Sequence, residues 1–255
     1  MFRRKKPWVR FYSLEKAVED LYPIIPASSL TRTWKGEGSK CPFSKITNIL
    51  SAATCPGINQ YVKMGWVITC PTDIVIKTNG DGSSFEWESG SAFMSQAGLV
   101  GNHPPDQTLP IIDSPRETLA TTIKIETPWR CRASDDIVLI QTHVHWNNED
   151  RFTSATGIFD PRYALQCNVQ LFWHKLNDEV LIKGGTPLAQ YIPIPRKVLD
   201  KNWYDIYIDG AGEKEWQLEH SFRFTSHSIP RYDTLSDRLK RTITVISKYA
   251  NGKNL

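Results

Sequence analysis

The feature that most constrains the fold is a dense run of strand and turn signals between Gly157 and Gln190. Gly157-Ile158-Phe159 leads into Asp160-Pro161-Arg162-Tyr163. Asn168 to Trp173 follows, and Val180-Leu181-Ile182-Lys183 closes on Gly184-Gly185 before Thr186-Pro187-Leu188-Ala189-Gln190. A strand ended by glycine, a turn opened by Asp-Pro and a second strand closing on two glycines predict a compact antiparallel unit, with Asn168 to Trp173 and Val180 to Lys183 as partners.

The rest of the chain extends that pattern. Trp66 to Cys70 and Asp73 to Lys77 are rich in β-branched and aromatic residues, and Phe85 to Glu88 alternates. Asn79-Gly80-Asp81-Gly82 between them reads as a hairpin turn, because its glycines accept positive φ. Further strands are predicted at Thr121 to Glu126 and Ile137 to Trp146, and a long surface loop over residues 89–116. Two helices are predicted. The first follows Ser13 as N-cap, with Leu14, Val18 and Leu21 on one face and Pro23 as its stop. The second covers Thr234 to Tyr249, with Leu235, Leu239, Ile243 and Ile246 at helical spacing. The expected architecture is a single mostly-β domain, β-sandwich-like on these signals alone. It has a basic arm and short helix over residues 1–25, a β core over 26–196 and a C-terminal extension over 197–255 that ends in a helix.

Composition excludes several function classes. A net charge of +4, part of it in Arg3, Arg4, Lys5, Lys6 and Arg10, leaves the body of the chain nearly neutral and gives no footprint for specific nucleic-acid binding. Five widely spaced cysteines in a chain of 255 residues predict free thiols rather than a disulfide framework. The basic start has no apolar stretch behind it, and no window is apolar enough to span a membrane. The expected setting is therefore a cytoplasm, with no membrane association.

The Thr142 to Pro195 region, on the residues quoted above, resembles the dUTPase superfamily. Gly157, Asp160 and Tyr163 match its Gly-x-x-Asp-x-x-Tyr run, and Leu188-Ala189-Gln190 matches its Leu/Ile-Ala-Gln strand start. The resemblance implies a β-clip fold and a homo-oligomer, with a trimer as the commonest form. It also implies roles: Asp160 would activate the attacking water, Tyr163 would pack on the deoxyribose, and Gln190 would lie beside the phosphates, with Mg²⁺ as cofactor. Phosphoanhydride hydrolysis also needs charge neutralisation. Where the family places its Arg-Ser-Gly phosphate loop this chain has Thr142-His143-Val144-His145-Trp146. Tyr163 is followed by Ala164-Leu165, and no Gly-rich clamp closes the sequence. Over a longer stretch, Cys55-Pro56-Gly57, Met64-Gly65-Trp66, Thr127-Pro128-Trp129 and the Gly184 to Pro193 run resemble proteins of marine bacteriophages and some bacteria that share a domain of unknown function.

Three function classes follow. The first is a non-catalytic binding or structural protein of phage type, with other virion proteins as partners and no cofactor. The second is a diverged nucleotide or small-molecule hydrolase using Asp160, with His143 or His145 replacing the lost donors. The third is a cupin-like metal site, because His143, His145 and Glu149 have the spacing that sets two imidazoles on one sheet face before a carboxylate, with His174 as a further ligand. His220 and His227 with Asp205 or Asp209 form a weaker acid-base set that lacks a nucleophile elbow. Trp203, Tyr204, Tyr207 and Trp216, interspersed with Asp205, Asp209, Glu213, Glu215 and Glu219, read as buried aromatics of a loop-rich subdomain, with a partner surface as the alternative.

Overall fold

The structure, a computed structural model, describes residues 6–32, 55–90, 98–113, 117–226 and 240, without the side chains of 221–226. The chain divides into two compact units, residues 1–201 and 202–255. The first unit is mostly β, with antiparallel sheets and few, short helices. Its strands in chain order are β1 (Val9–Ser13), β2 (Ile25–Pro26), β3 (Trp66–Thr69), β4 (Ile74–Thr78), β5 (Phe85–Glu88), β6 (Val100–His103), β7 (Thr122–Ile125), β8 (Trp129–Ala133), β9 (Ile137–Thr142), β10 (Phe152–Ser154), β11 (Gly157–Phe159), β12 (Val169–Trp173), β13 (Glu179–Ile182) and β14 (Pro187–Pro195). They form sheets in the orders β11-β9-β14-β3-β2, β10-β12-β7-β6, β13-β4-β5 and β1-β8.

One hydrophobic cluster serves all of these sheets. Ile68 of β3, Ile74 and Ile76 of β4, Ile123 and Ile125 of β7, Leu139 of β9, Leu171 and Trp173 of β12 and Tyr191 of β14 are buried in it. β14 lies at the centre of the five-stranded sheet, pairing with β3 through Tyr191↔Trp66 and with β9 through Gln190↔Thr142 to Pro195↔Ile137. Its prolines stand at Pro187, Pro193 and Pro195, positions where a central strand must do without a ladder donor. Gly65 lets β3 enter this arrangement. Its φ is +68°, and a Cβ there would stand 2.0 Å from the carbonyl oxygen of Tyr191.

Several expectations hold. The β4–β5 hairpin forms around the Asn79-Gly80-Asp81-Gly82 turn, with Gly80 and Gly82 at φ of 90° and 72° and Thr78 opposite Phe85. Others are corrected. β12 and β13 are not partners: β12 pairs with β10 and β7, whereas β13 pairs with β4. The connection between them is clamped to the end of β4, where the Thr78 hydroxyl donates to the carbonyls of Lys175 (2.6 Å) and Asp178, and the Thr78 amide donates to Asp178. The chain is thereby handed from one sheet to another. Part of the expected loop over 89–116 is ordered structure, because Leu99 and Val100 are buried and β6 covers the edge of β7. A short helix at Pro105–Thr108 follows.

The N-terminal arm also enters a sheet. β1 pairs with β8, where Trp129 and Cys131 point inward and Arg130 and Arg132 outward. Phe11 packs on the core, but Trp8 is 46% exposed, so only one of the two aromatics is tucked in. The first helix is Lys16–Leu21, with Glu15 rather than Ser13 at the N-cap. Ser13 ends β1, and its hydroxyl accepts the Glu15 amide. Of its expected apolar face only Val18 is buried.

In the second unit the described residues form an irregular stretch and the helix Glu213–Ser226. Trp203, Tyr204, Tyr207 and Trp216, expected to be buried, are 45%, 48%, 80% and 56% exposed. Among the described residues, carboxylates alternating with aromatics leave no contiguous apolar face of helical period. The helix predicted at Thr234 to Tyr249 lies outside the described residues except for Lys240.

Candidate functional site

Asp160 sits in the turn after β11. Arg196, just beyond the end of β14, donates to both of its carboxylate oxygens, with its second amino group 2.8 Å from Oδ1. Arg162 donates through its backbone amide (3.0 Å) and its guanidinium (3.2 Å). Arg196 also donates to the carbonyls of Asp135 and Ile137, so the carboxylate is the hub of a clasp joining β9, β11 and β14. The Arg196 contact, followed by those of Arg162, holds the Asp160 carboxyl well below the usual carboxylate range. Tyr163 is 83% exposed, with Arg162 over its ring at 5.2 Å.

Gln190 lies elsewhere. Phe159 of β11 is opposite Leu139 and Gln190 is opposite Thr142, so Asp160 and Gln190 are separated by about four strand positions along β9, roughly 13 Å. Gln190 is fully buried, and its amide nitrogen donates to the carbonyls of Met64 (2.7 Å) and Tyr61. It braces the helix Pro56–Tyr61 against β14.

The two histidines after β9 do come together, with ring centroids 5.5 Å apart and edge to face. His143 Nδ1 accepts the Ser154 amide, and burial, helped by the neighbouring His145, pushes its pKa down to about 4. Tyr61 and Trp146 pack around His145. Glu149 does not join them. Its carboxylate is occupied by Arg151, through the backbone amide (3.0 Å) and the guanidinium (2.8 and 2.6 Å), and Arg151 reaches on to the Leu181 carbonyl. His174 is held between the hydroxyls of Thr118 and Thr153. Among the described residues no group of three His, Cys, Asp or Glu side chains is placed to hold a metal. His220 packs on Trp216, Asp205 and Asp209 are exposed, and His227 is outside the described residues.

What the sheets do build is a cleft of about 520 Å³ beside the Asp160 turn, between β12 and β7 on one side and the β10–β11 segment on the other. Five amides line it: Gln107, Gln141, Gln166, Asn168 and Gln170. Thr108, Thr122, Thr156 and the ring of His103 add to them, and among the described residues of the lining none is Asp, Glu, Lys or Arg. Part of the lining is fixed by internal bonds. The Tyr191 hydroxyl donates to Gln141 Oε1 at 2.6 Å, and Gln141 Nε2 donates to Gln170 Oε1 and the Ala155 carbonyl. Thr108 Oγ1, Thr122 Oγ1 and Asn168 Oδ1 lie behind the surface of the cleft, each with under 1 Å² accessible and no hydrogen-bonding partner among the described residues. Asn168 and Gln170 were legible as the polar, alternate positions of a predicted strand. Gln107, Thr108 and Thr122 carry no sequence signal that would bring them to the same place.

Among the described residues no helix is long and apolar enough to cross a membrane. No family model matches the chain, and no curated protein matches it. Among solved structures, a point mutant of the dUTPase from phage phi11 of S. aureus, described for its coordination of a structural Mg(II) ion, is similar over 82% of this chain and 99% of that chain, with 9% sequence identity and a TM-score of 0.35.

Proposed function

We propose that the chain is a non-catalytic binding or structural protein of phage type, built on a dUTPase-like scaffold and assembled as a homo-oligomer, with the amide-lined cleft as its binding site. The observation that carries this reading is the state of Asp160. A general base must have a pKa near the working pH and a free lone pair facing the water it deprotonates. Asp160 has both oxygens engaged by guanidinium groups and a depressed pKa, which makes it a structural anion. The adjoining cleft supports the same reading, because among the described residues that line it there is no Lys or Arg to neutralise a triphosphate.

The test is to incubate the purified full chain with a panel of nucleoside triphosphates and Mg²⁺ and to measure pyrophosphate release, alongside Asp160→Ala. The expected result is no release above the protein-free blank. Turnover that Asp160→Ala abolishes would establish the hydrolase reading instead. Sedimentation equilibrium checks the oligomer, and a purely monomeric chain at micromolar concentration would remove that part of the proposal.

A further inference from the structure

Among the described residues β1 pairs with β8 alone, and the register fixes which way its backbone groups point. Ser134 donates its amide to the Trp8 carbonyl and Leu14 donates to that of Pro128, so the even-numbered residues of the arm make the ladder bonds. The amides and carbonyls of Val9, Phe11 and Ser13 therefore point away from β8. A groove of about 630 Å³ runs along this strand, and Pro23, Ile24 and Trp66 contribute to it from other segments. Trp66 is 39% exposed and packs on Phe11, with ring centroids 6.3 Å apart. A strand edge of this kind, with no proline or bulge to blunt it, is a template for a further strand.

The two faces of β1 differ in chemistry. Val9 and Phe11 pack on the core, whereas Arg10 and Tyr12 take the other face, with the Arg10 guanidinium 5.7 Å from the Tyr12 ring. Arg10 stands directly opposite Arg132 of β8, and both residues are exposed. Like charges in register repel, so this face favours a neighbour that brings carboxylates. Arg3, Arg4, Lys5 and Lys6, which precede the strand in the sequence, add to the positive charge. The carboxylate in the lining, that of Glu19, has Lys16 at 3.6 Å.

The same chain carries a segment of complementary pattern. Residues 204–209 run Tyr-Asp-Ile-Tyr-Ile-Asp. In a strand, Tyr204, Ile206 and Ile208 would share one face and Asp205, Tyr207 and Asp209 the other. Ile206, Tyr207 and Ile208 are 70%, 80% and 96% exposed, the two aspartates are exposed as well, and the segment belongs to no helix or strand. That much apolar surface in a β-prone run marks a contact surface. Laid along β1, its apolar face would continue the side of Val9 and Phe11, and its acidic face would continue the side of Arg10 and Arg132. Strand direction does not matter to this match, since it depends only on which face each residue takes.

We propose that residues 204–209 of one copy of this chain add as a strand to the free edge of β1 in a second copy, with Asp205 and Asp209 on the face of Arg10 and Arg132. This rests on the homo-oligomer reading and supplies its contact.

The test exchanges the charges in the full chain. Arg10→Glu with Arg132→Glu puts carboxylates on both sides of the contact, and Asp205→Arg with Asp209→Arg puts guanidinium groups on both. All four residues are exposed, so both variants should keep the circular dichroism spectrum of the parent. In sedimentation equilibrium the parent should self-associate at micromolar concentration, and each variant about 10-fold or more weakly, because like charges then meet. An equimolar mixture of the two variants should form a complex that contains both, since each supplies the sign the other lacks, and ¹⁵N labelling of one identifies it by mass spectrometry. Recovery in the mixture also shows that both variants are folded. A monomeric parent would overturn this contact and the oligomer together. Association that ignores both pairs of substitutions would overturn the contact and leave the homo-oligomer standing. So would a mixture that stays as separate chains, the result if the segment docked within its own chain or on a different partner.

Discussion

Replacing Asp160 by asparagine tests whether this residue is a structural anion. The substitution keeps the side chain's size and one carbonyl oxygen, so the Arg162 amide and one Arg196 amino group retain an acceptor. The other Arg196 amino group, now donating towards Oδ2, would face an amide NH₂. Charge-assisted bonds contribute about 1.5–3 kcal/mol each and neutral ones about 0.5–1.5. Two contacts at Oδ1 are downgraded, and two at Oδ2, from Arg196 and from the Arg162 guanidinium, are lost. Arg162 is 43% exposed and contributes little, so the Arg196 bonds set the cost at about 2–3 kcal/mol. The side chains of Asp160 and Arg196 are 15% and 19% exposed, so solvent screens part of the Coulomb attraction and the lower end, about 2 kcal/mol, is the expected value. The pH dependence fixes the cause. The folded-state pKa of Asp160 is depressed by Arg196 and Arg162, so its stabilisation is fully present above the unfolded value, near 4, and is lost as pH falls through the folded value. Asparagine does not titrate, and the difference between parent and variant should narrow by about 1 kcal/mol from pH 7 to pH 3. Urea denaturation followed by tryptophan fluorescence at both pH values measures it. Equal stability at pH 7, or a gap that stays constant down to pH 3, would refute the clasp.

Three further outcomes are expected. Gly65→Ala drives a Cβ into the Tyr191 carbonyl at a positive φ, so it should cost more than about 3 kcal/mol or prevent folding, as read from a thermal melt. His143 stays neutral in the folded state down to a pKa of about 4 while the unfolded chain takes up a proton near 6.5. Stability should therefore fall as pH drops from 6.5 to 4, and His143→Gln should flatten that slope in denaturation curves taken across the interval. The thiols of Cys70, Cys131 and Cys167 are buried, and burial pushes Cys70 up to about 12, so a disulfide-exchange reagent should label all three only after urea is added. Mass spectrometry of the labelled peptides would assign the sites, and fast native labelling of any of the three would contradict their burial.

How much of this was legible depended on the range of the interaction involved. The β4–β5 hairpin was readable because its register is set by four turn residues, two of them glycines at positive φ. β9 was readable because a strand covered on both faces shows as an unbroken apolar run, Ile137 to Ile140. The partner of β13 was not readable. Val180 to Ile182 would sit equally well beside β12, and the choice of β4 is made by Thr78, whose hydroxyl captures carbonyls 97 and 100 residues away in the sequence. The site divided in the same way. Local spacing brought His143 and His145 together, but Glu149 went to the adjacent Arg151. Asp160 went to Arg196, 36 positions downstream, which no short motif contains. The cleft was the least legible, since its walls come from Gln107, Gln141, Asn168 and Gln170 on segments that only the sheet order makes neighbours.

The central position of β14 has a consequence for how the chain is made. β3 and β9, its neighbours on either side, leave the ribosome long before residues 187–195 are synthesised, and each must wait with a hydrogen-bonding edge and buried-type side chains uncovered. The five-stranded sheet cannot close until that strand arrives between them, so folding of the first unit is dominated by pairings of high sequence separation. Chains of this kind fold slowly and spend the interval prone to aggregation. A truncation that ends before Pro187 should accordingly yield insoluble protein rather than a smaller folded domain.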